Sequence, residues 1–161
     1  MIPIDRERTN LEARKTVNNG TAAVTMSNKI GVVKILVQND EEEFLVVKER
    51  ENGQWELPGG KIEEKLGESR KEAGKRELKE EVNLETENLF DIVRVEVEEF
   101  KEKKTVNCWI MFAEQFSGEI ELYEEELTDW KWVSAEEFRE MDWHADAGYA
   151  IPAMRYLDYY R

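Results

Sequence analysis

The chain has 161 residues, 40% of them hydrophobic, with only nine glycines and three prolines. This length and composition predict one folded domain and exclude collagen-like and low-complexity proteins. The 37 acidic and 23 basic residues give a formal net charge of -14, which disfavours nucleic acids and anionic membrane surfaces as partners because both repel negative charge. A phosphorylated small molecule stays compatible with this charge if divalent cations lie between its phosphates and the protein carboxylates.

The cysteine content and the N-terminal residues bear on the cellular compartment. The single cysteine, Cys108, excludes an internal disulfide and is typical of a protein from a reducing compartment. The sequence shows neither the apolar core of a signal peptide nor a run of about 18 apolar residues that would predict a membrane span. We therefore expect a cytoplasmic protein without membrane contact, and a homodimer is open as an alternative to a monomer.

The first part of the chain predicts an N-terminal segment followed by strands. Residues 1–28 are polar and weakly patterned, so we expect an N-terminal arm or an extra strand, with the main domain at residues 29–161. The apolar, β-branched residues 30–37 and 44–47 predict two strands, and the polar residues between them predict a hairpin. Residues 53–60 predict a loop because a proline and two glycines end this segment.

A helix is predicted at residues 69–81, which lack strand periodicity and are rich in good helix formers. Ser69 and Glu72 have the spacing of a capping box, and Asn83 tolerates the left-handed conformation that often ends a helix. The remaining strands are predicted at residues 89–97, 105–112 and 130–133, and the remaining helices at residues 135–141 and 147–160. Strands and helices are thus mixed around one core, in an α+β arrangement.

Three glutamates crowd one face of the helix at residues 69–81. Glu77, Glu80 and Glu81 lie at positions i, i+3 and i+4, where like charges destabilise a helix. In so acidic a chain the simplest interpretation of such a cluster is a solvated surface. Leu78 and Val82 lie to one side of it and predict packing against a sheet, so the helix combines an apolar face with an acidic one.

The residues around this helix form a longer ordered motif. In chain order they are Gly59, Gly60, Glu68, Arg76, Glu77, Leu78, Lys79, Glu80 and Glu81. This order resembles the Nudix box of the Nudix hydrolase family, in which glycine, five residues, glutamate, seven residues, Arg-Glu, an aliphatic residue, any residue and Glu-Glu are followed by any residue, glycine and an aliphatic residue. The sequence departs from that pattern twice, because seven residues separate Gly60 from Glu68 and Asn83 replaces the last glycine.

The resemblance implies a fold, a cofactor and a set of site residues. The fold would be an α/β/α sandwich with a mixed β-sheet between helices. The cofactor would be Mg²⁺ or Mn²⁺, which prefer carboxylate and carbonyl oxygens. The implied metal ligands are the Gly59 carbonyl and the carboxylates of Glu77, Glu80 and Glu81. Glu77 would also orient or activate the attacking water, and Arg76 would hold a neighbouring glutamate in an ion pair. Gly60 and Glu68 would support the site.

The resemblance also implies a reaction. Family members often add a carboxylate from a late loop, and of Glu124, Glu125 and Glu126, which precede the strand at residues 130–133, we expect Glu125 to take this role. The implied reaction is attack of water on one phosphorus of a nucleoside diphosphate linked to a further group, with metal ions neutralising charge. A nucleoside triphosphate, intact or damaged, is the first expectation for the substrate.

Three alternatives stay open. ADP-ribose hydrolases often carry a proline shortly after the box, and the absence of proline from residues 84–105 weighs against this substrate. A dinucleoside polyphosphate is a further candidate. The third alternative is a catalytically silent module that senses a nucleotide or binds a protein. It is disfavoured because the charged residues of the box are all present, namely Glu68, Arg76, Glu77, Glu80 and Glu81.

Overall fold

The computed structural model describes residues 29–99, 103–143 and 148–159. The arm predicted at residues 1–28 lies outside this part of the chain. The elements in chain order are β1 (Lys29–Val37), β2 (Phe44–Glu49), β3 (Trp55–Glu56), β4 (Gly59–Lys61), a 3₁₀ turn (Glu64–Leu66), α1 (Arg70–Val82), β5 (Leu89–Glu99), β6 (Lys104–Ala113), β7 (Leu127–Val133), α2 (Ala135–Glu140) and α3 (Ala150–Tyr159). The predicted helices and strands are confirmed within these ranges, and two short strands occupy the predicted loop at residues 53–60.

The described strands form two sheets. One sheet has the order β4-β1-β6-β5 and is mixed, because β1 runs parallel to β6 and antiparallel to β4. The other sheet has the order β3-β2-β7 and is antiparallel. The predicted hairpin between β1 and β2 is wrong: a single bridge joins Gln38 to Phe44, and the two strands then enter different sheets. A strand that is buried on both faces carries no alternation that would identify its partner.

Helices cover both faces of the mixed sheet. Val33 and Ile35 of β1 belong to a buried cluster with Leu78 of α1. Leu36 belongs to a second cluster with Phe138 of α2, and Met154 of α3 lies in the same cluster. Because successive side chains of a strand point to opposite faces, this division places the sheet between helices and confirms the predicted α+β sandwich. Among the described helices, none combines the length and hydropathy needed to span a bilayer.

Side-chain caps fix the position of α1 along the chain. The Ser69 hydroxyl accepts a hydrogen bond from the Glu72 backbone N–H, and the Glu72 carboxylate accepts one from the Ser69 backbone N–H. Asn83 ends the helix in the left-handed conformation, with φ of 62°. The predicted capping box and the predicted role of Asn83 are both confirmed. With both ends fixed, α1 packs Leu78 and Val82 into the core and turns Glu81 inward.

The residues between Gly60 and Glu68 form a compact turn on the surface. The 3₁₀ turn Glu64–Leu66 is exposed, and the Glu63 backbone N–H donates to the Glu68 carboxylate at 2.8 Å. The two residues in excess of the motif therefore extend outward. Gly60 of β4 keeps its pairing with Val33 of β1, so the longer loop does not displace the glycine pair.

Candidate active site

Two glycines bring β4 into close contact with β1 and α1. A Cβ at Gly59 would lie 2.0 Å from the Val33 carbonyl oxygen, and Gly59 has φ of 152°, a conformation that favours glycine. A Cβ at Gly60 would lie 2.4 Å from Oε1 of Glu77. Neither position has room for a side chain. The glycine pair therefore lets the carboxylates of α1 reach the backbone of β4.

Glu81 is the most deeply placed carboxylate of α1. Its exposed fraction is 7%, and its Oε2 accepts a hydrogen bond from the Gly59 backbone N–H at 3.1 Å. Burial raises the pKa of Glu81 to about 8, and the opposing effects of Lys34 and the Gly59 N–H are smaller. A cation beside this carboxylate would stabilise its ionised form.

Arg76 contacts the carboxylates of Glu68, Glu77 and Glu80, and we call these four residues the Arg76 network. Its Nε and Nη2 donate to the two oxygens of Glu68 at 2.6 and 3.1 Å. Its Nη1 donates to Glu77 at 3.0 Å and to Glu80 at 3.1 Å, and Nη2 also donates to the Lys61 carbonyl at 3.0 Å. All five donors of the guanidinium thus have acceptors. The hydrogen bonds from Arg76 lower the pKa of Glu68, whereas burial raises the pKa of Glu77 despite its contact with Arg76.

Of the late-loop glutamates, Glu126 lines the cavity that holds the three α1 carboxylates, whereas the predicted Glu125 does not. Tyr123 anchors this loop to the end of α1, because its backbone N–H donates to the Glu81 carbonyl at 2.9 Å. Glu126 lines the cavity that also holds Glu77, Glu80 and Glu81. The Glu125 carboxylate accepts a hydrogen bond from the Tyr123 hydroxyl at 2.6 Å and lines a neighbouring cavity of about 370 Å³, which Glu81 and Glu126 also line. Three successive glutamates carry no periodicity from which to choose between them.

A cavity of about 740 Å³ is lined by the α1 carboxylates and by Glu126. Its lining, within the described residues, consists of Lys34, Glu49, Glu56, Gly59, Gly60, Lys61, Glu77, Glu80, Glu81, Tyr123 and Glu126. Such a set of carboxylate and backbone oxygens suits Mg²⁺ or Mn²⁺, and the glycine pair gives a cation access to the strand backbone, so the residues fit the implied metal. Within the described residues, no group of three or more His, Cys, Asp or Glu side chains has the geometry of a metal site. Glu80 has room to turn towards a cation, because 58% of its side chain is exposed.

A second group of charged residues lines the cavity beside Glu81, and the sequence did not identify it. We call Lys34, Glu49, Glu56 and Glu81 the inner cluster. The Lys34 ammonium lies 3.2 Å from Oε1 of Glu56. Burial raises the pKa of Glu56 to about 7, against the effect of Lys34, and a hydrogen bond with Glu49 acts in the same direction as burial. Burial by itself would lower the pKa of Lys34, but Glu56 and Glu81 outweigh it and raise that pKa. The missed signal was a single charged residue inside an apolar strand.

The fold and the site together define a class of protein, and sequence comparison names it. The model of the NUDIX domain family matches residues 28–154, so this chain belongs to that family. The predicted resemblance to Nudix hydrolases and the prediction of a Nudix hydrolase enzyme are confirmed. Comparison with curated proteins gives no significant match.

Solved structures are similar over most of the chain. A MutT protein from Methanosarcina mazei Go1 is 27% identical with a TM-score of 0.68, covering 83% of this chain and 95% of its own. The E. coli ORF135 protein is 25% identical with a TM-score of 0.65, covering 80% of this chain and 87% of its own. The NUDIX domain of Shewanella oneidensis NrtR, solved with ADP ribose, is 20% identical with a TM-score of 0.66, covering 79% of this chain and 86% of its own, and it shows the fold alone.

Proposed function

We propose that this protein is a Mg²⁺- or Mn²⁺-dependent pyrophosphohydrolase that cleaves a nucleoside diphosphate linked to a further group. The observation that carries the proposal is the contact between the Gly59 backbone and the buried Glu81 carboxylate, in a cavity that five further glutamates line. Acids gathered in one cavity repel each other, and an anionic substrate would be repelled as well. Divalent cations would reverse both repulsions.

The residues divide between metal binding and positioning. The Gly59 carbonyl and the carboxylates of Glu80 and Glu81 would hold the metal, with Glu126 as the additional carboxylate from the loop. Bound metal would lower the pKa of the attacking water and place positive charge beside the phosphates. Glu77 would assist in metal binding and would accept the proton of the attacking water.

Arg76 orders the carboxylates rather than contacting the substrate. Its contacts with Glu68 and the Lys61 carbonyl fix it to the loop, and its contact with Glu77 orients that side chain. In the proposed reaction the water oxygen bonds to one phosphorus while the bridging P–O bond breaks. The bridging oxygen leaves with the other phosphorus. The products are two phosphate monoesters, or, from a nucleoside triphosphate, a nucleoside monophosphate and pyrophosphate.

A nucleoside triphosphate is the substrate that we propose first. The cavity combines six glutamates with two lysines among its described lining residues, so several bound cations are needed before a polyphosphate can enter. ADP ribose is the second candidate, because the NUDIX domain of NrtR holds it in a similar fold. Dinucleoside polyphosphates complete the panel of candidates.

The test is a panel of nucleotides incubated with the purified protein, with and without Mg²⁺, in water enriched in ¹⁸O. We expect Mg²⁺-dependent release of a nucleoside monophosphate, with ¹⁸O in only one product, which identifies the attacked phosphorus. Binding of nucleotide and metal without hydrolysis of any member of the panel would contradict this proposal and favour a silent, nucleotide-sensing module.

A further inference from the structure

A lysine interrupts an apolar strand next to the candidate metal site. Lys34 is the only charged residue among residues 30–37, and Val33 and Ile35 on either side of it are fully buried. Only 18% of the Lys34 side chain is exposed. A buried charge is costly unless it is paired and hydrogen-bonded. The contacts of Lys34 therefore indicate what this position contributes.

The ion pair and the side-chain hydrogen bond of Lys34 both lie on one short segment, residues 56–59. The ammonium lies 3.2 Å from Oε1 of Glu56 and donates to the Leu57 carbonyl at 3.4 Å. The backbone of Lys34 pairs with Gly59 in the register of β1 and β4. The segment begins in the three-stranded sheet and ends in the four-stranded sheet. Lys34 thus connects β1 to both ends of the segment at residues 56–59.

The crossing segment carries the backbone on which the metal site depends. Its last residue, Gly59, donates its N–H to Glu81 and presents the carbonyl that is the candidate metal ligand. The Val33 carbonyl limits Gly59 on one side, since it would lie 2.0 Å from an added Cβ. On the other side, the position of Gly59 depends on how residues 56–58 are held. A shift of this segment would move the Gly59 carbonyl and N–H relative to the Glu81 carboxylate, which belongs to α1.

We propose that Lys34 is a positioning residue for the metal centre, which holds residues 56–59 against β1 so that Gly59 and Glu81 are placed for a divalent cation. The inference rests on the proposed function only in taking this carboxylate site to be the metal site. An ammonium carries no lone pair and cannot itself ligate a metal, so Lys34 acts through the segment that it holds.

The experiment measures Mn²⁺ affinity by titration calorimetry with the metal alone. The main variant, Lys34→Met with Glu56→Gln, removes both charges and leaves no unpaired charge, so its stability should stay close to that of the parent. We expect its Mn²⁺ affinity to fall by roughly tenfold or more, the usual cost of losing a group that orients metal ligands. Lys34→Arg keeps the charge and should restore most of the affinity. Lys29→Met, the same change at an exposed position of the same strand, should have no effect.

The outcomes separate the alternatives. Unchanged Mn²⁺ affinity in a folded double variant, or an equal loss in Lys29→Met, would overturn the inference. A raised KM for the nucleotide at saturating Mg²⁺ would overturn it as well, since Lys34 would then contact substrate directly. If the double variant does not fold, Lys34→Gln alone gives the test, because it removes the ammonium, leaves the Glu56 side chain in the cavity and allows that buried carboxyl to hold a proton. A parent that binds Mn²⁺ but hydrolyses no nucleotide contradicts the proposed function and leaves this test intact.

Discussion

Arg76 and Lys34, two of the cations beside the candidate metal site, differ in how they contact the neighbouring carboxylates. Arg76 satisfies all five of its donors, and the carboxylate that it holds in two contacts, Glu68, has a lowered pKa. Lys34 faces Glu56 and Glu81, whose pKa values burial raises to about 7 and about 8. Each group holds one cation and three glutamates, but Arg76 donates to all three of its carboxylates, whereas the Lys34 ammonium forms an ion pair only with Glu56 of the inner cluster.

This difference in contacts indicates different roles for the Arg76 network and the inner cluster. A fully satisfied network holds its members in one geometry, because moving any of them leaves a polar group unpaired. A buried acid that no cation of the chain contacts directly, such as Glu81, gains more when a divalent ion arrives. We therefore expect the Arg76 network to orient groups, and Glu81 of the inner cluster, with Glu80, to bind metal.

The largest effect is expected from the inner cluster. Glu81→Gln removes a proposed metal ligand but keeps the shape of the side chain, so turnover should fall by roughly a thousandfold, about 4 kcal/mol in the barrier. The fold should persist because a buried acid and its repulsion with Glu77 are removed. Steady-state kinetics and circular dichroism measure the two effects. The control is Glu85→Gln, an exposed glutamate just after α1. Turnover near that of the parent would remove Glu81 from the site.

Arg76→Lys tests the network by keeping the charge and removing the fork of donors. A lysine has three donors on one atom and cannot reach all the acceptors that Arg76 serves. We expect turnover to fall by about ten- to a hundredfold, in the range of second-shell changes, with metal still bound. Kinetics at several Mg²⁺ concentrations would show this as a loss of kcat. An equal loss in metal affinity would mean that the network and the inner cluster are not separable.

Gly60→Ala places a methyl group where the structure has the Glu77 carboxylate. The clash of 2.4 Å must displace a side chain that Arg76 holds, so we expect about a tenfold loss of kcat. Gly31→Ala is the matched control, since its Cβ would lie 2.6 Å from the carboxylate of the exposed Glu64, and neither residue lines the cavity. Equal effects of the two substitutions would show that Glu77 need not stay where Arg76 places it.

The raised pKa values predict how stability depends on pH when divalent cations are chelated. Between about pH 5 and 8 the folded chain keeps protons on Glu56 and Glu81 that the unfolded chain has released. Their contribution to stability is therefore greatest near pH 5 and is lost as pH rises through about 7 and about 8. Glu68 and Asp91, whose pKa values are lowered, lose their contributions only at more acidic pH. Denaturant unfolding across this window gives the slope, and Glu81→Gln should reduce it. Rising stability would contradict the prediction.

Local features of the fold were predictable from the sequence, whereas pairings over long distances were not. The start and end of α1 are set by Ser69 and Asn83, whose effects act within a few residues. The partner of β1 is β6, which lies some 75 residues later in the chain, as the pairing of Lys29 with Thr105 shows. No local pattern identifies such a partner, so the hairpin prediction failed.

The candidate site follows the same division. Glu77, Glu80 and Glu81 could be chosen because helical spacing places them together. Lys34 and Glu56 meet only because two sheets come together at residues 56–59, which no spacing in the sequence indicates. These two residues, rather than the motif itself, distinguish the inner cluster from a solvated acidic surface.

The most direct test of this account is the thermal unfolding midpoint of the parent and of Glu81→Gln as Mg²⁺ or Mn²⁺ is added to millimolar concentration. A ligand that binds only the folded chain stabilises it by about 2.7 kcal/mol at a hundred times its Kd, which corresponds to several degrees for a chain of this size. We predict that the midpoint of the parent rises with metal and that the midpoint of Glu81→Gln rises much less. A parent whose midpoint does not change with metal, or a variant that responds equally, would contradict the assignment of Glu81 as a ligand of the metal site.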